Sequence, residues 1–249
     1  MENKISVLII AKNESEVIEA AIKSVKDLAS EVILVDDSYD ETPRIAEKLG
    51  AKVIRNKFKN FADQRNLAAS AAHNEWIFYL DADERVTPEF ETELKAEILN
   101  PGSENIAGFW VKRKTFFYGR DWHFTDRVQR VFRREKLKGW HGVVHETPEV
   151  EGRLMTINEP ILHYTHRNFE QMIAKTNEWS EFESDLRLHS HHPKMSLWRF
   201  PRVMVTAFAS SYFGQSGWKN GAEGVIEAIY QAFSMFITYA KLWEKQNIK

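Results

Sequence analysis

Apolar runs alternate with amphipathic segments along the N-terminal third of the chain. The runs are short and rich in β-branched and aromatic residues, which is typical of strands buried on both faces of a sheet. They cover residues 6–10, 31–35, 52–55 and 76–80. Between them apolar residues recur at helical spacing, for example at Val17, Ile18, Ala21 and Ile22. This alternation predicts an α/β fold with a doubly wound, mainly parallel sheet and helices on both of its faces.

The pattern changes after residue 105. Strand-like runs at 106–112, 128–132 and 161–164 are separated by polar loops instead of long helices. From Asn168 onward the periodicity is helical, and it predicts three helices, over about residues 168–188, 194–213 and 222–245. We therefore expect a sheet-containing domain over residues 1–165 and a helical C-terminal region over residues 166–249.

Composition narrows the classes of protein that fit. The chain has 249 residues, a formal net charge of −2 and no cysteine. No basic stripe indicates a nucleic-acid partner, and disulfides and zinc–thiolate sites are excluded. No apolar run approaches the roughly 18 residues of a spanning helix, and the N-terminal run is too short for a signal peptide. A cytoplasmic location is the expectation.

Polar side chains follow the ends of the first, second and fourth predicted strands. They are Asn13 and Glu14, Asp36 and Asp37, and Asp81 and Asp83. Ligands of such sheets bind at the carboxyl ends of the strands, so these side chains are expected to converge on one crevice. The Asp36–Asp37 pair suits a ribose or a pyrimidine N–H, and the alternative is a cap on the following turn.

The Asp81-Ala82-Asp83 triplet is the strongest candidate for chemistry. Two carboxylates two residues apart can face the same way, and they suit Mn²⁺ or Mg²⁺ shared with phosphate oxygens. The alternative is a solvated acidic turn. A neutral imidazole from His145 or His163 would complete such a metal site, although either histidine also fits a core position.

Several ordered motifs resemble one known family. They are SVLIIAKNE at 6–14, VDDSYDET at 35–42, FADQRN at 61–66, LDADE at 80–84, WHGVVHE at 140–146, ILHY at 161–164 and GWKNGAEG at 217–224. The chain resembles the family 2 glycosyltransferases of GT-A fold, and within them the WaaE-like lipopolysaccharide-core β-glucosyltransferase subgroup. The segment from Val35 to Thr42 is one residue shorter than the usual family motif, which leaves open whether Asp36 or Asp37 contacts the base.

The resemblance implies roles for individual residues in a GT-A nucleotide-sugar-binding and catalytic domain at 1–165. Ala11, Asn13 and Glu14 would line the nucleotide pocket, and Asp36 or Asp37 would contact the uracil or the ribose. Arg65 would approach the diphosphate or brace the triplet. Asp81 would contact the ribose, and Asp83, with His145, would hold the metal.

Transfer of a sugar to a hydroxyl also requires a general base. Glu146, about sixty residues beyond Asp83, is the expected base, by comparison with relatives of this fold, and Asp126 is its competitor. The alternative for Glu146 is a structural salt bridge, with Arg133 or Arg153. In-line displacement by the acceptor would invert the anomeric centre.

The expected function is therefore metal-dependent hexosyl transfer from a UDP-sugar, glucose being favoured, to a saccharide of a lipopolysaccharide core or another glycolipid-type acceptor. One alternative is a metal-dependent nucleotidyltransferase, which normally carries a glycine-rich loop that residues 10–14 lack. A second alternative is a non-catalytic nucleotide-sugar-binding or membrane scaffold protein. The presence of Asp81, Asp83 and Glu146 argues against loss of activity.

The C-terminal helices carry broad apolar faces. Trp198 and Phe208 accompany Arg199 and Arg202 on one helix, and the last helix repeats apolar residues from Val225 onward. This composition favours peripheral contact with the inner face of the cell membrane. Packing in a homodimer and packing within the chain are the alternatives.

Overall fold

A computed structural model of the chain describes residues 5–100, 102, 105–142 and 146–247. Contacts divide the chain into two compact units. Unit 1 comprises Met1–Lys114 and Thr125–His163, and unit 2 comprises Thr115–Phe124 and Tyr164–Lys249. The domain boundary expected near residue 165 stays a prediction.

Strands and helices alternate in the first half of the chain, and strands then precede the C-terminal helices. The strands are β1 (Ile5–Ala11), β2 (Glu31–Asp36), β3 (Lys52–Arg55), β4 (Trp76–Tyr79), β5 (Glu84–Arg85), β6 (Ile106–Phe117), β7 (Arg120–Arg133), β8 (Leu137–His141), β9 (Thr147–Val150) and β10 (Arg153–Thr165). The helices are α1 (Ile18–Ser24), α2 (Thr42–Lys48), α3 (Phe61–Ser70), α4 (Pro88–Leu99), α5 (Phe169–His189), α6 (Arg199–Ala209) and α7 (Gly221–Asn247). The strands predicted at 106–112, 128–132 and 161–164 are present but longer.

An eight-stranded sheet has the order β3-β2-β1-β4-β7-β6-β10-β5, and β8 and β9 form a separate antiparallel pair. Strands β3, β2, β1 and β4 are parallel to one another. Strand β7 is antiparallel to β4, and β5 is antiparallel to β10. The predicted α/β class with a doubly wound, mainly parallel sheet is confirmed.

Alternate residues of the central strands supply two hydrophobic clusters in unit 1. Val7 and Ile9 belong to a cluster that contains residues of α1 and α4, whereas Leu8 belongs to a cluster that contains residues of α3. Since successive side chains of a strand point to opposite faces, the all-apolar run of β1 fills both. Helices therefore cover both faces of the parallel strands.

Side-chain caps fix where two of these helices begin. Asn60 accepts the N–H of Asp63 at the start of α3, and Thr87 accepts the N–H of Phe90 at the start of α4. Glu41 holds the N-cap position of α2 without a side-chain cap. The hydroxyl of Thr42, the first residue of α2, donates to Asp40 Oδ1 at 2.5 Å, in the loop that follows β2.

Unit 2 is built on α5, α6 and α7. Helix α6 begins at Arg199, five residues later than predicted, and passes into a π-helical turn at Ser210–Gly214. A pair between Nδ1 of the half-buried His166 and Oε2 of the buried Glu227, 2.9 Å apart, anchors α7. Of the helices in the described part of the chain, none is both long and apolar enough to cross a membrane.

Candidate active site

The Asp81–Asp83 triplet lies in a tight turn at the carboxyl end of β4. The N–H of Leu80 continues the ladder to the carbonyl of Leu8, and the chain then turns. The N–H of Glu84 donates to the Asp81 carbonyl at 2.9 Å, while Glu84 Oε2 accepts the Asp81 N–H at 2.9 Å. This reciprocal pair holds both aspartates at the sheet edge where ligands of parallel sheets bind.

Two arginines hold the carboxylate of Asp81. Arg65 Nη2 lies 3.2 Å from Oδ1, and Arg130 Nη2 contacts Oδ2. Burial raises the pKa of Asp81, but the charges of Arg130 and Arg65 outweigh that effect and hold the pKa well below its usual range. Asp81 is therefore ionised throughout the physiological pH range.

Arg65 also reaches the candidate base. Its Nε donates to Glu146 Oε1 at 3.1 Å, so one guanidinium joins Asp81 to Glu146. The guanidinium carbon lies 5.5 Å from the ring centre of Tyr79 and 4.9 Å from that of Trp140. With 4% of its surface exposed, Arg65 is fixed in place by packing as well as by charge. Glu146 thus forms a salt bridge with Arg65 and not with Arg133 or Arg153, the partners considered in the alternative to its role as base.

A second layer of charge lies behind the triplet. Glu84 is fully buried and lies 3.3 Å from Arg113 Nη1 and 3.5 Å from Arg130 Nη2. Arg113 in turn binds both carboxylate oxygens of Asp126, through Nε at 3.0 Å and through Nη2. The competing base is therefore held by a two-point guanidinium pair.

Hydrogen bonds join the loops after β1 and β2. Asn13, in the left-handed region with φ 57°, donates its N–H to Ser38 Oγ at 2.7 Å. Its side-chain oxygen accepts the N–H of Tyr39 at 2.9 Å. The N–H of Glu14 donates to Thr42 Oγ1 at 2.9 Å. These bonds order the two loops at adjacent strand ends.

Asp36 and Asp37 have different surroundings. Asp36 is buried, accepts the N–H and the hydroxyl of Ser38, and pairs with Arg55. Asp37 is half-buried, and its backbone N–H donates to the carbonyl of the half-buried Ala11 at 3.1 Å. The carboxylate of Asp36 is thus occupied by internal partners at the end of β2.

His163 lies beside the metal-binding candidate. Its Nε2 is 3.5 Å from Asp83 Oδ2, and its buried Nδ1 has no hydrogen-bond partner among the residues that the structure describes. Burial lowers the pKa of His163, but the hydrogen bond and the charge of Asp83 more than offset that effect and raise it. His145 lies outside the described residues. Within the described ranges, no set of three histidine, aspartate or glutamate side chains is arranged to hold a metal ion alone.

The structure brings together Arg65, Asp81 and Glu146, which are far apart in the sequence, with Asp83 in the same turn. The ends of β1 and β2 and the loops after them carry the other predicted residues, which are Ala11, Asn13, Glu14, Asp36 and Asp37. Sequence reasoning missed Glu84 and Arg113 as site residues. The sequence gives no signal that singles out Arg113 or Arg130, because both lie in strands with other charged residues.

Comparison with known proteins places the chain among glycosyltransferases. An uncharacterized glycosyltransferase of Rickettsia felis is 30% identical over 261 residues, which cover 97% of this chain and 90% of that protein. The lipopolysaccharide core biosynthesis glycosyltransferase LpsC of Rhizobium meliloti is 27% identical, and the match covers 98% of this chain and 94% of LpsC.

Among solved structures, glucosyl-3-phosphoglycerate synthase of Mycobacterium tuberculosis is similar with a TM-score of 0.45 and 16% identity, over 76% of this chain and 81% of that chain. The family model for glycosyl transferase family 2 matches residues 6–159, which is more than half of the sequence. The chain therefore belongs to glycosyl transferase family 2.

Proposed function

We propose that the chain transfers a hexosyl group, glucose being favoured, from a UDP-sugar to a hydroxyl of a lipopolysaccharide-core or other glycolipid-type saccharide, with inversion at the anomeric carbon. The observation that carries this proposal is the connection of Asp81, in the Asp81–Asp83 turn, to Glu146 through the buried Arg65. Arg65 therefore contacts both Asp81, on the proposed nucleotide-sugar side of the site, and Glu146, the candidate base.

The donor set at Asp83 suits a divalent cation. A carboxylate with a neighbouring imidazole, 3.5 Å apart, offers oxygen and nitrogen ligands that Mn²⁺ accepts, and Mg²⁺ accepts the carboxylate. The Nε2 of His163 faces the Asp83 carboxylate, so both groups could reach one ion. Asp83 with His163 would hold the ion, and His145 stays a proposed ligand. A bound ion would neutralise charge on the departing diphosphate.

The nucleotide is assigned to the loops after β1, β2 and β4. Asp36 already accepts hydrogen bonds from Ser38 and pairs with Arg55, so we assign the base or ribose contact to Asp37. Ala11, Asn13 and Glu14 would line the same pocket, because β1 lies between β2 and β4. Asp81 would face the ribose.

The arginine contacts of the two carboxylates favour Glu146 over Asp126 as the base. Asp126 is bound by Arg113 through both of its carboxylate oxygens, so each oxygen already accepts a hydrogen bond from a guanidinium. Glu146 accepts one N–H from Arg65, through Oε1 at 3.1 Å. Its second oxygen is the proposed acceptor of a proton.

The reaction then balances as one displacement. The acceptor oxygen forms a bond to the anomeric carbon while its proton passes to Glu146. The bond between that carbon and the β-phosphate oxygen breaks, and its electron pair leaves with UDP. Attack opposite the leaving group inverts the anomeric centre. A lipopolysaccharide-type acceptor is supported by the relative LpsC, whose name refers to lipopolysaccharide core biosynthesis.

Thermal shift with nucleotides tests the donor assignment. We expect UDP to raise Tm more than GDP or CDP, with a further rise on adding Mn²⁺ that is absent in Asp83→Ala. Asp63→Ala, which alters an exposed carboxylate of α3, is the matched control and should respond as the wild type does. A Tm that no nucleoside diphosphate changes would refute the proposal.

Sugar transfer tests the base. Glu146→Gln should keep UDP binding and lose nearly all transfer, since the amide cannot accept the proton, whereas Asp126→Asn should keep most of it. The opposite ranking would move the base to Asp126. Release of pyrophosphate instead of UDP would support a nucleotidyltransferase. UDP-sugar binding with neither reaction would support a non-catalytic binding protein.

A further inference from the structure

Large hydrophobic side chains are exposed mainly in one part of unit 2. Most of those exposed in the described chain lie between Leu197 and Trp243, including Leu197 itself at 89% and Ile229 at 57% exposure. Scattered single apolar residues are ordinary on protein surfaces, but a concentration on neighbouring helices indicates a binding surface.

Helix α7 carries two opposite faces. Its exposed apolar residues form what we call the α7 stripe: Val225, Ile226, Ile229, Phe233 and Phe236. At 3.6 residues per turn these positions fall within an arc of about 100°, and Trp243 continues the same line. The buried face combines small or polar residues such as Gly224 and Glu227 with apolar ones such as Leu242. Helix α7 is therefore apolar on the side that faces away from the unit as well as on part of its buried side.

Aromatic residues with adjacent cations lie next to the stripe. The ring of Phe236 lies 6.0 Å from that of Phe200 on α6, just beyond Trp198. The guanidinium carbons of Arg199 and Arg202 lie 5.4 and 5.2 Å from the ring centre of Trp198. Tryptophan with arginine or lysine is the combination typical of the headgroup region of a membrane.

The same pairing recurs in the turn before α7. Lys219 Nζ lies 5.3 Å from the ring centre of Trp218, and both side chains are exposed. No carboxylate of the described residues lies within ion-pair distance of Arg199, Arg202 or Lys219. These cations are therefore available to an anionic partner from outside the described chain.

Acidic groups of α7 are kept away from the stripe. Glu223 pairs with Arg120 at 3.1 Å, and Glu227 is buried against His166. Glu244 is exposed beside Trp243, at the C-terminal end of the line. The surface from Val225 to Phe236 is therefore apolar with positive edges.

We propose that unit 2 docks on an anionic lipid surface through the α7 stripe, with Trp198 and Trp218 at headgroup level and Arg199, Arg202 and Lys219 against lipid phosphates. A second copy of the chain is a poorer occupant. A two-fold interface apposes the same patch of both copies, and among the described residues this patch carries the three cations against one exposed carboxylate, Glu244, so the two copies would repel each other. The line from Val225 to Trp243 is about 27 Å long, long enough to lie along a bilayer surface.

Flotation of the full chain with vesicles tests this docking, without any nucleotide sugar, so its failure is separate from failure of the proposed transfer. Vesicles of phosphatidylcholine alone are compared with vesicles that also contain phosphatidylglycerol. We expect binding to the anionic vesicles that weakens with salt. Ile229→Glu with Phe233→Glu should weaken it by about a hundredfold, because about tenfold is lost for each apolar side chain kept out of the lipid.

Two further variants separate the contributions. Leu99→Glu changes an apolar residue that is 59% exposed at the end of α4 in unit 1, and it should bind as the wild type does. Arg199→Gln with Arg202→Gln leaves the stripe intact and should lose most of the preference for anionic vesicles, about fivefold per cation. This pair also tests the proposal should the stripe variant fail to fold, which circular dichroism would reveal.

Several results would overturn the proposal. These are wild-type protein that does not float with anionic vesicles, equal binding to neutral and anionic vesicles, and a stripe variant that binds like the wild type. Light scattering that shows a dimer, dissociated by the stripe variant and without vesicle binding, would assign the surface to a second copy instead.

Discussion

Replacing Arg130 with methionine removes one cation from between two carboxylates while keeping most of the side-chain volume. Arg130 is 6% exposed, contacts Asp81 Oδ2 and lies 3.5 Å from Glu84 Oε1. In the variant, Asp81 keeps Arg65 at 3.2 Å, and Glu84 keeps Arg113 at 3.3 Å. The substitution thus weakens the charge network without leaving either carboxylate alone.

The expected loss follows from burial. Removing one partner of a buried ion pair costs about 3–5 kcal/mol, because the remaining charge stays desolvated. Since both carboxylates of Arg130 keep a second arginine, we expect the low end, about 3 kcal/mol in the free energy of unfolding. Arg44→Met, which breaks an exposed pair with Glu41 on α2, is the control and should cost about 0–1 kcal/mol.

Urea denaturation at several pH values measures this loss and its origin. The pKa of Asp81 in the folded protein is held below its unfolded value, so its contribution is present above about pH 4 and is lost as the pH falls toward the folded pKa. The Arg130→Met variant lacks the charge that lowers the pKa of Asp81 the most. Its deficit should therefore be largest at neutral pH and should shrink on acidification.

Two results would refute this reasoning. A deficit at neutral pH no larger than that of Arg44→Met would mean that Arg130 does not compensate the buried carboxylates. A deficit that stays constant between neutral and acidic pH would mean that the loss comes from packing and not from charge.

Three other substitutions give distinct expectations. Gly224→Ala should lower Tm strongly, because its Cβ would lie 1.8 Å from the carbonyl oxygen of Gly217. Gly214→Ala is the control, since its Cβ meets only a side-chain oxygen at 3.9 Å. Calorimetry of the two variants compares their Tm values. Asn66→Ala removes two hydrogen bonds to the β8 backbone, of 3.0 and 2.8 Å, and should cost about 1–3 kcal/mol by urea denaturation. Ser38→Ala removes one of the hydrogen bonds that join the loops after β1 and β2. It should weaken UDP binding about two- to tenfold by titration calorimetry, and unchanged affinity would contradict that role.

The parallel part of the sheet was predictable because its strands are buried on both faces. β1, β2 and β4 are almost wholly apolar, and such runs have few other interpretations in a chain of this composition. Because parallel strands place their carboxyl ends at one edge of the sheet, the position of the Asp81–Asp83 turn at that edge could also be predicted. The strands β6, β7 and β10 were predicted too short, because each mixes polar and apolar residues along its length.

The charge network could not be predicted from the sequence. Arg113 and Arg130 lie in strands that also carry other charged residues, and the sequence does not distinguish an arginine that faces water from one that contacts Glu84. Arg65 and Glu146 are 81 residues apart, and only the fold brings them to 3.1 Å. Burial of a charge is decided by which partners the fold supplies, and a single sequence does not contain that information.

The charge balance at the carboxyl end of β4 leaves little positive charge for a diphosphate. The arginines of the network are already paired with carboxylates: Arg65 with Asp81 and Glu146, Arg130 with Asp81 and Glu84, and Arg113 with Glu84 and Asp126. Asp83 adds a further negative charge. Since a nucleoside diphosphate brings more negative charge to this edge, its binding requires a cation that these arginines do not supply. We therefore expect a chelator to weaken UDP binding and excess Mn²⁺ to restore it, and undiminished binding in chelator would mean that a cation of the protein itself holds the diphosphate.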